Sequence, residues 1–231
     1  MHNKKIKEIY NLLYDEYGPQ GWWPIKGKYF PEKEDPFEIT IGAILAQNTI
    51  WKNAQRAIMR LHDADLMNPE KILKLPEEKL AEIIKPSGYY NQKADRIKTI
   101  TRHYMNWQKQ NRIPERDELL SIKGIGPETA DSILLYAYHQ PVFVIDIYTK
   151  RLFSRTGIAN ENIKYEELQN MIQSELLKDH LNDEKVFREY HSLIVEHAKR
   201  HCRKKPECGG CVLKIKGICR YKSKNKMEGG K

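Results

Sequence analysis

A chain of 231 residues has room for one sizeable core or two small lobes. Its 40 Lys plus Arg stand against 31 Asp plus Glu, a net charge of +9, which favours a polyanionic partner such as DNA, RNA or an anionic membrane surface. No apolar run reaches the roughly 18 residues of a spanning helix, and MHNKKIKEIYNLL has no long apolar stretch of the signal-peptide kind.

In chain order, Ile6, Ile9, Tyr10, Leu13 and Tyr17 recur at helical spacing and predict a helix over Lys5–Tyr17, stopped by Gly18-Pro19. Gly21-Trp22-Trp23-Pro24 sets two tryptophans side by side between Gly and Pro. They read either as aromatics plugged into the core or as the wall of a pocket. Phe37 to Gln47 is apolar on most sides and reads as a buried helix. Asn48-Thr49 then reads as a break and an N-cap for a helix over Trp51–His62. Asn68-Pro69 opens another helix, and Leu75-Pro76-Glu77-Glu78 opens the next, which ends at Lys85-Pro86. Ser87-Gly88-Tyr89-Tyr90 is a turn before a helix over Asn91–Gln108.

The stretch Leu119–Arg155 organises the rest. Gly124-Ile125-Gly126 lies between two helical patterns. Its glycines permit close backbone approach, and N–H groups followed at once by a helix start suit a phosphate. Asp146 ends the apolar run Pro141–Ile145 and precedes Tyr148, Lys150 and Arg151. Such a carboxylate is either an ion-pair member or a catalytic group. Tyr165–Lys178 and Lys185–Arg200 are helical by pattern. His191 and His197 are not at metal-ligand spacing and read as solvated or packed. Strand signals are almost absent, so the fold is predicted all-α; the polar tail Tyr221–Lys231 is expected to be disordered.

All four cysteines fall late in the chain, as Cys202-x5-Cys208-x2-Cys211-x7-Cys219. That clustering favours a metal site in a reducing compartment over a disulfide framework. Four thiolates hold either zinc or a [4Fe–4S] cluster. Lys199, Arg200, Arg203, Lys204, Lys205, Lys214 and Lys216 crowd the site, either to grip phosphates or simply to solvate the loop.

Taken together, LAQNT (45–49), GYYNQKADRI (88–97), GIGPETA (124–130), VIDIYTKR (144–151) and the cysteines resemble, in that order, the endonuclease III (HhH-GPD) superfamily of DNA glycosylases, from about Pro36 to Cys219. The resemblance implies two helical lobes: a six-helix barrel with its helix-hairpin-helix over 31–139, and a second lobe of 1–30 with 140–231 that carries a [4Fe–4S] cluster on Cys202, Cys208, Cys211 and Cys219. The cysteine gaps depart from the family's C-x6-C-x2-C-x5-C by one residue in the first gap and two in the last. Duplex DNA with a damaged base is the implied partner, lying in the groove between the lobes with the catalytic Asp146 at its mouth. A monomer acting in the cytoplasm, at the nucleoid and away from membranes, is expected.

Residue by residue, the resemblance implies that Gln47 fills the space left by an extruded nucleotide and that Tyr89 wedges into the base stack. A base stacked on an aromatic ring is worth roughly 1–3 kcal/mol. Asn48, Lys123, Gly124, Gly126, Thr129, Arg151, Lys204 and Lys205 are the other expected DNA contacts. Trp22, Trp23 and Pro24 are similar to the Trp-Trp-Pro pocket of the monofunctional 3-methyladenine branch, with Trp51, Glu128 and Tyr148 completing the pocket. Electron-rich rings attract a cationic alkylated purine by about 0.5–2 kcal/mol per contact. Bifunctional members carry a Schiff-base lysine where this chain has Glu128, so a monofunctional enzyme is expected. Two alternatives remain at this point: a uracil or thymine mismatch glycosylase reading a pyrimidine edge with amides such as Asn48, and a non-catalytic helix-hairpin-helix DNA-binding protein. An RNA-binding role lacks a stacking sheet.

Overall fold

The computed structural model describes residues 4–21, 35–178, 180–181 and 183–222. Trp22, Trp23 and Pro24 lie outside them. Twelve α-helices and no strands occur among the described residues, and no helix there is long and apolar enough to cross a membrane. The chain divides into two compact units, one within Met1–Trp22 and Phe143–Lys231, the other within Trp23–Val142.

α1 (Lys4–Tyr17) belongs to the first unit and ends at Gly18, whose φ is +66°. The other unit begins with α2 (Pro36–Leu45), capped by the Asp35 carboxylate, which accepts from the Phe37 amide. From Phe37 to Leu45 every residue is buried, as expected of a helix that is apolar on most sides. α3 (Trp51–Asp63) departs from the sequence reading. Its N-cap is Ile50, which offers no side-chain bond, while Thr49 Oγ1 accepts from Asn53 Nδ2 at 3.2 Å. The left-handed turn at Asn48, φ 51°, comes too early for Asn48 or Thr49 to cap.

α4 (Pro69–Lys74) is capped by Asn68, and α5 (Glu77–Ile83) follows Pro76. A 3-10 turn at Lys85–Ser87 leads to α6 (Tyr90–Lys109), a long helix that packs on α2, α4 and α5. Trp107 is fully buried on it. The hairpin proper is α7 (Arg116–Ser121), the glycine turn, and α8 (Pro127–Ser132), which runs into a buried π-helical turn over Ile133–Ala137. Nothing in the apolar pattern distinguishes that turn from ordinary α-helix.

The first unit resumes with α9 (Ile147–Arg155), α10 (Tyr165–Lys178), α11 (Glu184–Arg200) and the short α12 (Val212–Ile215). α1 packs against α10, α11 and α12. Phe143, Phe153, Phe187 and Tyr190 form its aromatic centre, and the Tyr190 hydroxyl donates to Ile6 O at 2.8 Å. The fully buried hydroxyl therefore has its partner.

One ion pair ties the two hairpin helices together. Arg116 Nε and Nη2 on α7 donate to the two oxygens of Asp131 on α8, at 2.6 and 3.1 Å, and Asp131 is fully buried. Breaking such a pair leaves one charge stranded. Asp131→Ala should therefore lower the unfolding free energy by about 3 kcal/mol, read from chemical denaturation. A loss below about 1 kcal/mol would mean that solvent carries the Arg116 charge, as at a surface pair.

Candidate active site

Asp146 is positioned from both sides of the chain. The apolar run before it is extended and buried at Phe143–Ile145, yet no strand pairs with it. Side chains of α10 meet its backbone instead: Gln173 Oε1 accepts from the Phe143 amide at 2.7 Å, Gln169 Nε2 donates to Phe143 O at 2.7 Å, and the Tyr165 hydroxyl accepts from the Ile145 amide at 3.2 Å. Asp146 then becomes the N-cap of α9, its Oδ1 accepting from the Thr149 amide at 2.7 Å. Its Oδ2 lies 3.4 Å from His191 Nε2 of α11. Burial, at 8% exposure, would by itself push this carboxyl up. His191 and the Thr149 amide outweigh it, so the group sits below the usual aspartate range.

This arrangement corrects the reading of His191 as merely solvated or packed. The signal missed was its place on α11, a helix that packs on α9, which no spacing rule reveals. Tyr148 is half-buried on α9, with the Arg151 guanidinium over its ring at 5.5 Å. Arg151 Nη1 also donates to Cys202 O at 3.1 Å, so this expected DNA contact is engaged with the cysteine loop.

That loop is organised by a residue the sequence reading did not select. Arg155 Nη1 donates to Cys202 Sγ at 3.2 Å and to Arg203 O at 2.7 Å, Nη2 donates to Lys204 O at 3.0 Å, and the guanidinium lies 4.7 Å from the Tyr221 ring centre. All four cysteines are free thiols lining one small pocket. Burial pushes the Cys202 and Cys211 thiols up. His197, pulled down to about 4 by burial, sits with Nε2 3.7 Å from Cys211 Sγ and Nδ1 2.9 Å from the Tyr17 hydroxyl. Among the described residues no three His, Cys, Asp or Glu side chains converge closely enough to hold a single metal ion. Lys204 and Lys205 are exposed, and Lys204 joins Lys150, Arg151, Arg155 and Arg220 along an open groove of about 760 Å³.

In the other unit the structure gathers most of the expected DNA contacts on one edge. Gln47 Nε2 donates to Gly124 O at 3.0 Å and to Thr129 Oγ1 at 2.9 Å, while its Oε1 accepts from Arg96 Nη1 at 2.8 Å. Gly124 has φ +87°, and a Cβ there would stand 2.2 Å from Arg96 Nε. Gly126 is extended, with nothing within 4 Å of a notional Cβ: one glycine is required by the turn, the other faces open space. Lys123 and Glu128 are exposed beside them, and Trp51 is half-buried in the first turn of α3. Tyr89 is 64% exposed with φ 47°, and Asn48 is exposed with φ 51°. Backbone strain of this kind clusters at functional sites.

A helical hairpin with a bared glycine turn, and a buried carboxylate held as an anion at a helix cap, define a helix-hairpin-helix protein of the base-excision type. The chain belongs to the HhH-GPD superfamily of base excision DNA repair proteins, which its residues 41–177 match. A Methanocaldococcus jannaschii protein assigned as a DNA repair glycosylase is 46% identical over 218 residues, 90% of this chain and 94% of its own. Thermotoga maritima endonuclease III is 30% identical over 192 residues, 81% of this chain and 86% of its own. The crystal structure of H. pylori 3-methyladenine DNA glycosylase bound to 1,N6-ethenoadenine has a TM-score of 0.69 at 30% identity, covering 86% of this chain and 97% of that one.

Gly124→Ala should be costly through backbone strain, since the Arg96 side chain can give way and the left-handed backbone cannot. A loss of about 1–3 kcal/mol is expected for the strain alone, measured by thermal or chemical unfolding. Gly126→Ala should unfold like wild type while weakening duplex binding. Equal stability of the two variants would refute the distinction drawn between the glycines.

Proposed function

We propose that this base-excision DNA glycosylase is monofunctional and releases N-alkylated purines such as 3-methyladenine from duplex DNA. The observation that carries the reading is the Asp146 carboxylate: buried, hydrogen-bonded at Oδ1 by the Thr149 amide, faced at Oδ2 by His191 Nε2 and held below the ordinary aspartate range. With the target nucleotide extruded from the stack, Asp146 stabilises positive charge developing on the sugar and directs water to the anomeric carbon. The glycosidic electron pair leaves with the base. An alkylated purine is already cationic, so it departs neutral, and the enzyme needs discrimination more than acid catalysis. Water adds to the sugar and its proton passes towards Asp146. Oδ1 accepts one protein bond and Oδ2 faces His191 Nε2 at 3.4 Å, so both oxygens keep lone-pair capacity for this work.

Two features favour this branch. Glu128 stands where bifunctional relatives carry a Schiff-base lysine, and a carboxylate cannot form that adduct. The 30% identical H. pylori protein is a 3-methyladenine glycosylase. Trp22, Trp23, Pro24, Trp51, Glu128 and Tyr148 are the proposed pocket. Asn48, Lys123, Gly124, Gly126, Thr129, Arg151, Lys204 and Lys205 are the proposed grip on the duplex, with Gln47 and Tyr89 probing the stack. Cys202, Cys208, Cys211 and Cys219 are the proposed ligands of a [4Fe–4S] cluster. The all-cysteine donor set, gathered at one pocket, suits it. The cluster's role there is to fix the basic loop, and Arg155 and Arg151 hold the same loop through Cys202 and its neighbours.

A panel of duplexes carrying 3-methyladenine, 7-methylguanine, uracil and thymine mismatches tests the substrate. Release of uracil or thymine but not of alkylpurines would transfer the assignment to the mismatch reading. Asp146→Asn should leave lesion binding largely intact and slow base release by about three orders of magnitude or more, because the charge matters mainly in the transition state. Borohydride should trap no complex, and strand breaks should appear only after alkali or heat. Full activity in Asp146→Asn, or a trapped adduct, would refute the respective assignment.

The depressed carboxyl also fixes a sign. Its stability contribution is present above the unfolded aspartate pKa and lost as pH falls through the lower folded value. The acid limb of the release rate should accordingly lie below the ordinary aspartate range in wild type and move up in His191→Leu. An unmoved limb would show that His191 does not hold the carboxylate.

Purified protein should be brown, with broad visible absorption that bleaches as iron is lost. A colourless protein with stoichiometric zinc would refute the cluster.

A further inference from the structure

The edge that carries Gln47 and Tyr89 is held from beneath by two cations on one face of α6. Lys93 and Arg96 are three residues apart on that helix and so project from the same side. Lys93 is only 1% exposed. Its Nζ donates to Leu45 O at 2.9 Å and to Ser87 O at 2.8 Å. The first carbonyl ends α2 and the second ends the turn that leads into Tyr89. Arg96, one turn on, donates to the Gln47 amide oxygen, and the Gln47 nitrogen passes the chain on to Gly124 O and Thr129 Oγ1. The guanidinium also lies against Gly124, where an added Cβ would displace it. Lys93 is thus met by neutral oxygens of two segments and Arg96 by the Gln47 amide, which carries the link on to a third.

We propose that Lys93 and Arg96 are positioning residues for base extrusion, fixing the 45–49 loop, the 87–89 turn and the 124–126 hairpin as one edge so that Gln47 and Tyr89 meet the duplex as a preset pair. The proposal rests on the glycosylase reading above, in which those two side chains probe the stack. Holding them costs rotamer entropy, and here that cost falls on folding rather than on each encounter with DNA. The same brackets explain how Asn48 and Tyr89 persist at positive φ. Strained backbone survives only where its surroundings over-determine it. A buried lysine donating to two carbonyls anchors the far side of both strained turns.

Lys93→Met strips the donor from two helix-end carbonyls and is expected to fold poorly, so Arg96 carries the test. Arg96→Met, Gln47→Ala and the double variant are compared with wild type in the full-length protein. Extrusion is read by fluorescence of 2-aminopurine placed beside a 3-methyladenine in duplex DNA, base release by single-turnover kinetics, and folding by melting temperature. Each single variant should reduce extrusion and the release rate by about tenfold or more, the worth of one charge-assisted hydrogen bond. The double variant should be no worse than the poorer single, since both act through one network. The Arg96→Met protein should still unfold cooperatively, and its affinity for undamaged duplex should stay near wild type. Additive losses would overturn the proposal. Normal extrusion with weaker, less salt-dependent duplex binding would also overturn it and make Arg96 a phosphate contact. A wild type that extrudes the base yet releases nothing would refute the catalytic reading and leave the positioning claim to the fluorescence of the variants. A wild type that does neither refutes both.

Discussion

A buried carboxylate is the constraint around which the unit of residues 4–21 and 143–222 is built. Removing Asp146 from water disfavours its charged form. The chain answers with two donors placed from different elements. Thr149 offers its amide because Asp146 begins a helix, and His191 faces the other oxygen from α11. Neither is effective unless the preceding segment is held still. Gln169, Gln173 and Tyr165 do this by bonding the backbone of Phe143 and Ile145. A strand ladder would satisfy the same backbone groups but would bring in a second strand and its bulk. Side chains on a helix satisfy them and leave Asp146 at a helix start.

The 35–142 unit solves a different problem with cations. Lys93 and Arg96 are met by backbone and amide oxygens. Burial, followed by the neighbouring Arg96, pulls the Lys93 ammonium down to about 8. It nevertheless stays mostly protonated at neutral pH. The bends at Asn48, Tyr89 and Gly124 are all left-handed, and all three surround these two cations.

The cysteine loop shows the same logic of backbone held by guanidinium. Arg151 and Arg155, one turn apart on α9, donate to Cys202 and to the carbonyls that follow it. The helix that Asp146 caps therefore also holds the loop bearing the basic residues.

Much of this was legible in the chain alone, because local physics wrote it there. The all-α class follows from apolar periodicity and the scarcity of strand signals. The breaks at Gly18, Asn68-Pro69 and Gly88 follow from residues that stop or cap helices. The hairpin glycines, Asp146 and the four cysteines stand out by type and spacing. What the sequence could not determine is every contact between residues far apart in the chain. His191 lies 45 positions from Asp146 and Arg155 lies 47 from Cys202; nothing in the pattern near either names its partner. Asn48-Thr49 looked like a helix cap until a left-handed turn displaced it, and the role of Lys93 and Arg96 is invisible in a motif that reads only as a helix start. Periodicity and capping are properties of neighbours along the chain, whereas charge burial is resolved only when packing decides which donors reach which oxygens.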